Sequence, residues 1–265
     1  MILSLNGIIS GKGGIVFDVD AQAFITNASI TNTTQKTAIN QLVLDLKSAN
    51  IWGKMKTIYP FVGGTASSHR FNLKDPRTVA AAFYLNFYGG GTHSANGYQP
   101  DGATAFADTR FVPSIEFSGL QDNSGVTYYN ATPNTSSGDG CYSTGSLFLF
   151  RADTLSIDIR MNVNFDQPYT QIYSSSGIGT FTVTKNGSTT VNSYHNGVLA
   201  GSTSKTSALV PKEAYIGARN QNGIAGSYNS DEKRFIAFHT GLSSAEVLAL
   251  KNAIQTYQTT LGRQV

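Results

Sequence analysis

Residues 180–203 read TFTVTKNGSTTVNSYHNGVLAGST, three short runs rich in Thr, Val and Tyr separated by Asn186-Gly187 and Asn196-Gly197. Asn-Gly pairs accept positive φ at both central positions of a tight hairpin turn, and the residues around them alternate with a period of two. The stretch therefore predicts a three-stranded antiparallel meander: Thr180 to Lys185, Ser188 to Tyr194 and Val198 to Thr203.

Outward from this meander the same grammar recurs. Ala80 to Tyr88, Leu147 to Phe150, Ser156 to Asn162, Glu213 to Ala218 and Lys233 to Thr240 are short, apolar or alternating, and are bounded by Gly, Asn, Asp or Pro. Eight or more strands without intervening helices predict a mainly β, two-sheet antiparallel jelly-roll sandwich. Residues 89–146, rich in Gly, Asn, Ser, Thr and Tyr, read as long loops on it, with strands that the pattern does not place.

Helical spacing is confined to the two ends. After candidate caps at Asn32, Thr33 and Thr34, the apolar residues Ile39, Leu42, Val43 and Leu46 fall on one helical face. Trp52, Met55 and Ile58 extend that surface on a further short turn, which stops before Pro60. At the other end Ser243 and Glu246 form a capping box, Val247, Leu250, Ile254 and Tyr257 line one face, and Gly262 terminates the helix. The expected organisation is a short arm or attachment segment over 1–19, a helical lead-in over 20–60 packed on the sandwich, and the sandwich itself over 61–265.

Charged residues make up 13% of the 265 residues, with a net charge of +3 and no basic run. A phosphate backbone needs a denser track of Lys and Arg, so nucleic acid is not an expected partner. No stretch reaches the ~20 apolar residues of a membrane span, and no secretory leader is read at the start. The single cysteine, Cys141, permits no intrachain disulfide, which fits synthesis in a reducing cytoplasm.

The closing third carries a resemblance. Tyr215-Ile-Gly-Ala-Arg-Asn220, Arg234-Phe-Ile-Ala-Phe238 and Thr240-Gly-Leu-Ser-Ser-Ala-Glu246 follow one another as in laminin-G-like (concanavalin A-like) jelly-roll modules, and Tyr194 before His195-Asn196-Gly197 matches their hairpin. Asp20 to Ile25, WGKMKTIYPFVGG over 52–64, SSHRFNLKDPR over 67–77 and YQTTLGRQV over 257–265 are similar to bacteriophage and prophage structural proteins that place a helical lead-in before such a module. The resemblance implies a non-enzymatic virion protein, made in the host bacterial cytoplasm and located in the particle. It implies a spike or receptor-binding module, assembled as a homo-oligomer among other virion proteins and recognising a host-surface glycan or protein. A purely architectural capsid or tail decoration subunit is the alternative, and a polysaccharide depolymerase a lesser one.

Enzymatic glycan cleavage needs two carboxyl groups facing one bond. The four glutamates are Glu116, Glu213, Glu232 and Glu246, none in the E-x-D-x-x-E spacing of sandwich glucanases, so no catalytic residue is assigned. His69, His93, His195 and His239 lack the close spacing of a zinc site. The resemblance implies no obligatory cofactor but allows calcium at a loop rim, with Asp101, Asp108, Asp122 and Asn123 as the oxygen donors by type. Sugar recognition calls for aromatic faces beside planar amides and carboxylates. His93, Asn96, Tyr98 and Asp101, the run Tyr128, Tyr129 and Asn130, and Asn220, Asn222 and Tyr228 supply those types in segments read as loops. Trp52, beside Ile51 and Met55, reads as a packing residue.

Overall fold

The computed structural model describes residues 16–120, 122–132, 139–143, 146–150, 157–161, 170–172, 177–204 and 209–265. Most of the expected arm, residues 1–15, lies outside the described residues.

The second Asn-Gly turn closes as its dipeptide requires: Asn196 and Gly197 take φ of 50° and 80°, and His195 pairs with Val198 across it. The first is wider. Only Gly187 has positive φ, and the strands resume at the Thr184 and Asn192 pair, so Asn186 closes a strand rather than a two-residue turn.

In chain order the first elements are α1 (Val19–Asn27), α2 (Thr33–Ser48), β1 (Met55–Tyr59), α3 (Ala66–His69), β2 (Asn86–Tyr88), β3 (Thr92–Ser94) and β4 (Gly97–Gln99). Next come β5 (Phe106–Asp108), α4 (Pro113–Glu116), β6 (Asn123–Asn130), β7 (Asp139–Ser143), β8 (Ser146–Phe150), β9 (Ile157–Met161) and β10 (Thr170–Ile172). The chain closes with β11 (Gly179–Asn186), β12 (Thr190–His195), β13 (Val198–Ser204), β14 (Tyr215–Ile216), β15 (Arg219–Gln221), β16 (Ile224–Gly226), β17 (Lys233–His239) and α5 (Ser244–Thr260).

The predicted meander is one side of the first sheet, ordered β13-β12-β11-β6-β17-β4-β3, with β1 also pairing β17. The second sheet runs β10-β9-β8-β7-β14-β5-β2, and β15 joins it parallel to β7. The protein is thus a two-sheet sandwich with helices near both ends of the chain, mainly β as predicted.

Side-chain alternation divides the interior into two cores. Along β17, Phe235 and Ala237 enter a core shared with α1, α2 and α5, while Ile236 and Phe238 enter the core between the sheets. On β6, Tyr129 faces the helices and Val126 and Tyr128 face the second sheet. The first sheet is therefore covered on both faces.

Three expectations need correction. Met55 to Tyr59 is a strand, not a helical turn, because Ile58 pairs with Ala237 and Tyr59 with Ile236 at the edge of β17; only Trp52–Lys54 forms a 3₁₀ turn. Ala80 to Tyr88 is not one strand: Ala80–Ala82 is a 3₁₀ turn, Phe83 adopts φ of 55°, and only Asn86–Tyr88 pairs. Residues 89–146 are less loop than expected: the strands that the pattern does not place there include β6, the eight-residue centre of the first sheet, as well as β3, β4, β5 and β7.

The caps behave as read. The Asn32 side chain accepts from the Gln35 N–H, and Ser243 with Glu246 makes a reciprocal capping box that Lys54 extends through an ion pair of 2.7 Å. Beyond α5, the buried Arg263 guanidinium donates to the carbonyl oxygens of Pro60, Phe61, Ala95 and Asn96, tying the C-terminal turn to the start of the β1–α3 connection and to the β3–β4 hairpin. Cys141, expected in a loop, lies buried on β7 in the inter-sheet core, where burial raises its thiol well above the usual range.

Candidate functional site

Two pentads, Tyr84-Leu-Asn-Phe-Tyr88 and Phe106-Ala-Asp-Thr-Arg110, meet through β2 and β5. Their pairs are Asn86 with Asp108, Phe87 with Ala107 and Tyr88 with Phe106. Leu85, Ala107 and Thr109 are fully buried, so the intervening residues occupy the opposite, outer face of the second sheet. The strand β14 extends that face: Ile216 points into the core opposite Ala107, which leaves Tyr215 outside opposite Asp108.

The outer residues form a continuous row. Tyr88, 47% exposed, stacks on Phe106 with centroids 4.8 Å apart and an interplanar angle of 15°. Phe106 also meets Tyr215 at 4.7 Å and Tyr228 at 6.4 Å. Next along the strands stand the Asn86 amide and the Asp108 carboxyl. At the far end Arg110 donates to the Tyr84 hydroxyl over 3.1 Å. On β7, Gly140 lies opposite Tyr215 and adds no side chain to the face.

Electrostatics complement this layout. Burial raises the Asp108 carboxyl above its ordinary value, opposed by the Arg110 backbone N–H, which it accepts over 2.7 Å, while Glu213 adds to the rise. Burial, with Asp108 and Glu213 nearby, pushes the Tyr215 phenol up to about 12, so it remains a hydrogen-bond donor at neutral pH. Aromatic planes flanked by an amide, a carboxyl, phenols and a guanidinium can hold the apolar face of a sugar ring and its hydroxyl groups together.

The predicted site residues are dispersed. Asp108 and Tyr228 belong to the row, and Asn222 is exposed with φ of 55° in the turn between β15 and β16. His93, Asn96 and Tyr98 lie on the β3–β4 hairpin, but Tyr98 is buried and the His93 ring is boxed by Tyr98 at 4.9 Å and Phe87 at 4.4 Å. Tyr128, Tyr129 and Asn130 are not loop residues; they are buried on β6, covered by the second sheet on one side and the helices on the other. Asn220 is also buried, its amide donating to the Glu213 carbonyl and accepting from the Gly223 N–H to shape the β15–β16 hairpin.

The calcium donors do not converge. Asp101 Oδ1 accepts the N–H groups of Ala103, Thr104 and Ala105, and Oδ2 accepts the Thr104 hydroxyl, holding this carboxylate well below its usual range as a loop cap. Asp122 pairs with the buried Lys185 over 2.6 Å, and Asn123 Oδ1 accepts from the Gly241 N–H. Among the described residues no three His, Cys, Asp or Glu side chains gather around a common point. Glu246 and Glu232 are held by Lys54 and Arg234.

Sequence reading missed Tyr84, Asn86, Tyr88, Phe106, Arg110 and Tyr215. A signal was present: both pentads alternate buried aliphatic or small residues with aromatic and polar ones, the pattern of strands with one open face. Nothing local marks their pairing across the seventeen intervening residues.

No protein-family profile matches the chain, and no curated protein matches it. Solved structures do. Botulinum neurotoxin type C, which enters cells through interaction with two ganglioside molecules, aligns at 10% identity with a TM-score of 0.56, over 78% of this chain and 53% of that one. The binding domain of botulinum neurotoxin DC, solved with rat synaptotagmin II, aligns at 9% identity with a TM-score of 0.52, over 77% and 52%. The receptor-binding domain of a botulinum C/D mosaic serotype aligns at 11% identity with a TM-score of 0.50, over 76% and 52%. At these identities the likeness establishes the sandwich fold, and the chain spans about half the length of the structures it matches.

Proposed function

We propose that the chain is a non-enzymatic recognition module that binds a glycan of a host-cell surface on the outer face of its second sheet. The observation that carries this reading is the row Tyr88, Phe106 and Tyr215 beside Asn86, Asp108 and Arg110. Stacked aromatic rings left open to solvent lose contact area that a ligand would restore. The receptor-binding role of the solved structures that share the fold supports the same class of function by analogy. The sequence resemblance to bacteriophage structural proteins supports, as part of the same proposal, a spike or receptor-binding subunit working among other virion proteins.

A glycan array probed with the wild type and with Tyr88→Ala tests this. The wild type is expected to retain at least one glycan class, and Tyr88→Ala to weaken it on the order of tenfold, about 1.4 kcal/mol, without a change in melting temperature. Absence of binding to every glycan and to intact host cells, or binding indifferent to Tyr88, overturns the reading and favours a purely architectural subunit. Immunogold labelling of assembled particles tests the virion assignment separately.

A further inference from the structure

At one end of the recognition row a single aromatic ring carries two cations. The guanidinium carbons of Arg70 and Arg110 lie 4.9 Å and 4.3 Å from the centroid of the Tyr84 ring. Neither guanidinium forms an ion pair with a carboxylate among the described residues; Arg110 donates to the Tyr84 hydroxyl, and the buried Nε of Arg70 has no hydrogen-bond partner. Asp108, the nearest acid in the row, is occupied by the Arg110 backbone N–H rather than by its side chain. Arg110 itself takes φ of 59°, a conformation uncommon for a residue without Asn, Asp or Gly chemistry.

Two like charges gathered on one ring repel, and a buried guanidinium N–H left unpaired costs the desolvation of that donor. Tyr84 offsets part of this through cation–π attraction. An anion resolves the remainder, because planar guanidinium forks match the two oxygens of a carboxylate or sulfate. We infer that Arg70 and Arg110 form an anion subsite that docks an acidic group of the ligand, a carboxylate or a sulfate ester of an acidic sugar, beside the aromatic platform.

The ligand class rests on the recognition reading, but the anion site can be tested apart from it. Sodium sulfate is titrated into the ¹⁵N-labelled full chain at constant ionic strength while the Arg70 and Arg110 Nε–Hε resonances are followed, each assigned by its own substitution. Saturable shifts at both are expected, with Arg70→Gln and Arg110→Gln each weakening sulfate binding at least about fivefold at the remaining arginine. Shifts that grow linearly without saturation, or that survive both substitutions, overturn the inference. Oligogalacturonate and its carboxyl-reduced counterpart then serve as the acidic and neutral glycan probes. Sulfate binding with preference for the acidic probe supports the inference. Recognition of neutral glycans with no sulfate binding removes the anion subsite and leaves the recognition reading standing. Sulfate binding without any glycan binding removes the recognition reading and leaves the anion site.

Discussion

The Nδ1 atoms of His69 and His93 face each other across 3.0 Å, on segments the sequence separates by 24 positions. Two imidazoles so placed share one proton between them, one nitrogen donating and the other accepting, and two neutral rings of opposite tautomer satisfy the contact without a buried charge. Burial does most of this at His69, lowering its pKa to about 3 with help from His93 and Arg263; burial lowers His93 as well.

A histidine held neutral in the fold takes up its proton only when the chain unfolds. His69 and His239, the latter lowered by burial to about 4, thus leave stability intact above pH 6.5 and withdraw it as pH falls through 6.5 toward 4. Each is expected to cost about 2 kcal/mol at pH 5 relative to pH 7.5, from ~1.4 kcal/mol per unit. Urea midpoints at the two pH values read this directly, and His69→Gln should shrink the difference. Equal midpoints at pH 5 and 7.5 would contradict it.

Gly125 is required by a ring. Under the helices His239 donates from Nδ1 to the Thr240 carbonyl, so its Nε2 accepts from Thr127, whose oxygen in turn meets Thr182 at 2.8 Å. A Cβ on Gly125 would stand 2.2 Å from His239 Cε1 and 2.9 Å from the Val183 carbonyl oxygen. Gly125→Ala is expected to destabilise by about 2–3 kcal/mol. In a double-mutant cycle, combining it with His239→Ala should cost less than the sum of the two, since the larger of the clashes is gone. Strict additivity in denaturant unfolding would argue against the contact.

Lys233 is buried between Asp139 at 2.8 Å and Asp231 at 3.2 Å. Burial alone would lower its pKa, but the two carboxylates overcome this and raise it. Asp139 also accepts the Gly217 N–H, so the group joins β17, β7 and the strand end after β14. Removing one partner leaves a buried charge short of its counter-ion, and Asp139→Ala is expected to cost about 3–5 kcal/mol. A loss under 1 kcal/mol in chemical denaturation would show the pair to be dispensable.

Arg263 supplies a fork rather than a charge. It reaches the Pro60 carbonyl at 2.9 Å and the Phe61 carbonyl at 2.8 Å, and its Nε donates to Gln258 at 2.7 Å. A lysine keeps the charge but cannot serve these directions at once. Arg263→Lys should therefore lower the melting temperature nearly as far as Arg263→Met; a lysine variant as stable as wild type would refute the geometric account.

Local chemistry determined much of this molecule. The turn at Asn196-Gly197, the caps at Asn32 and Ser243, and the short apolar run Phe235 to Phe238 each need only a few neighbouring residues, and all were legible. What was not legible depends on which layers meet. Asn123 to Asn130 is buried along nearly its whole length because helices cover one face of the first sheet and the second sheet covers the other, so the period-two contrast by which a half-solvated strand is recognised is absent. Met55 to Tyr59 read as helix for a related reason: apolar spacing in so short a run fits either period until β17 lies alongside. The candidate site is the extreme case, since Tyr88, Phe106 and Tyr215 come from three strands distant in the chain. Composition could nominate aromatic and amide residues, but only strand register decides which share an outer face, and register is a property of long-range pairing.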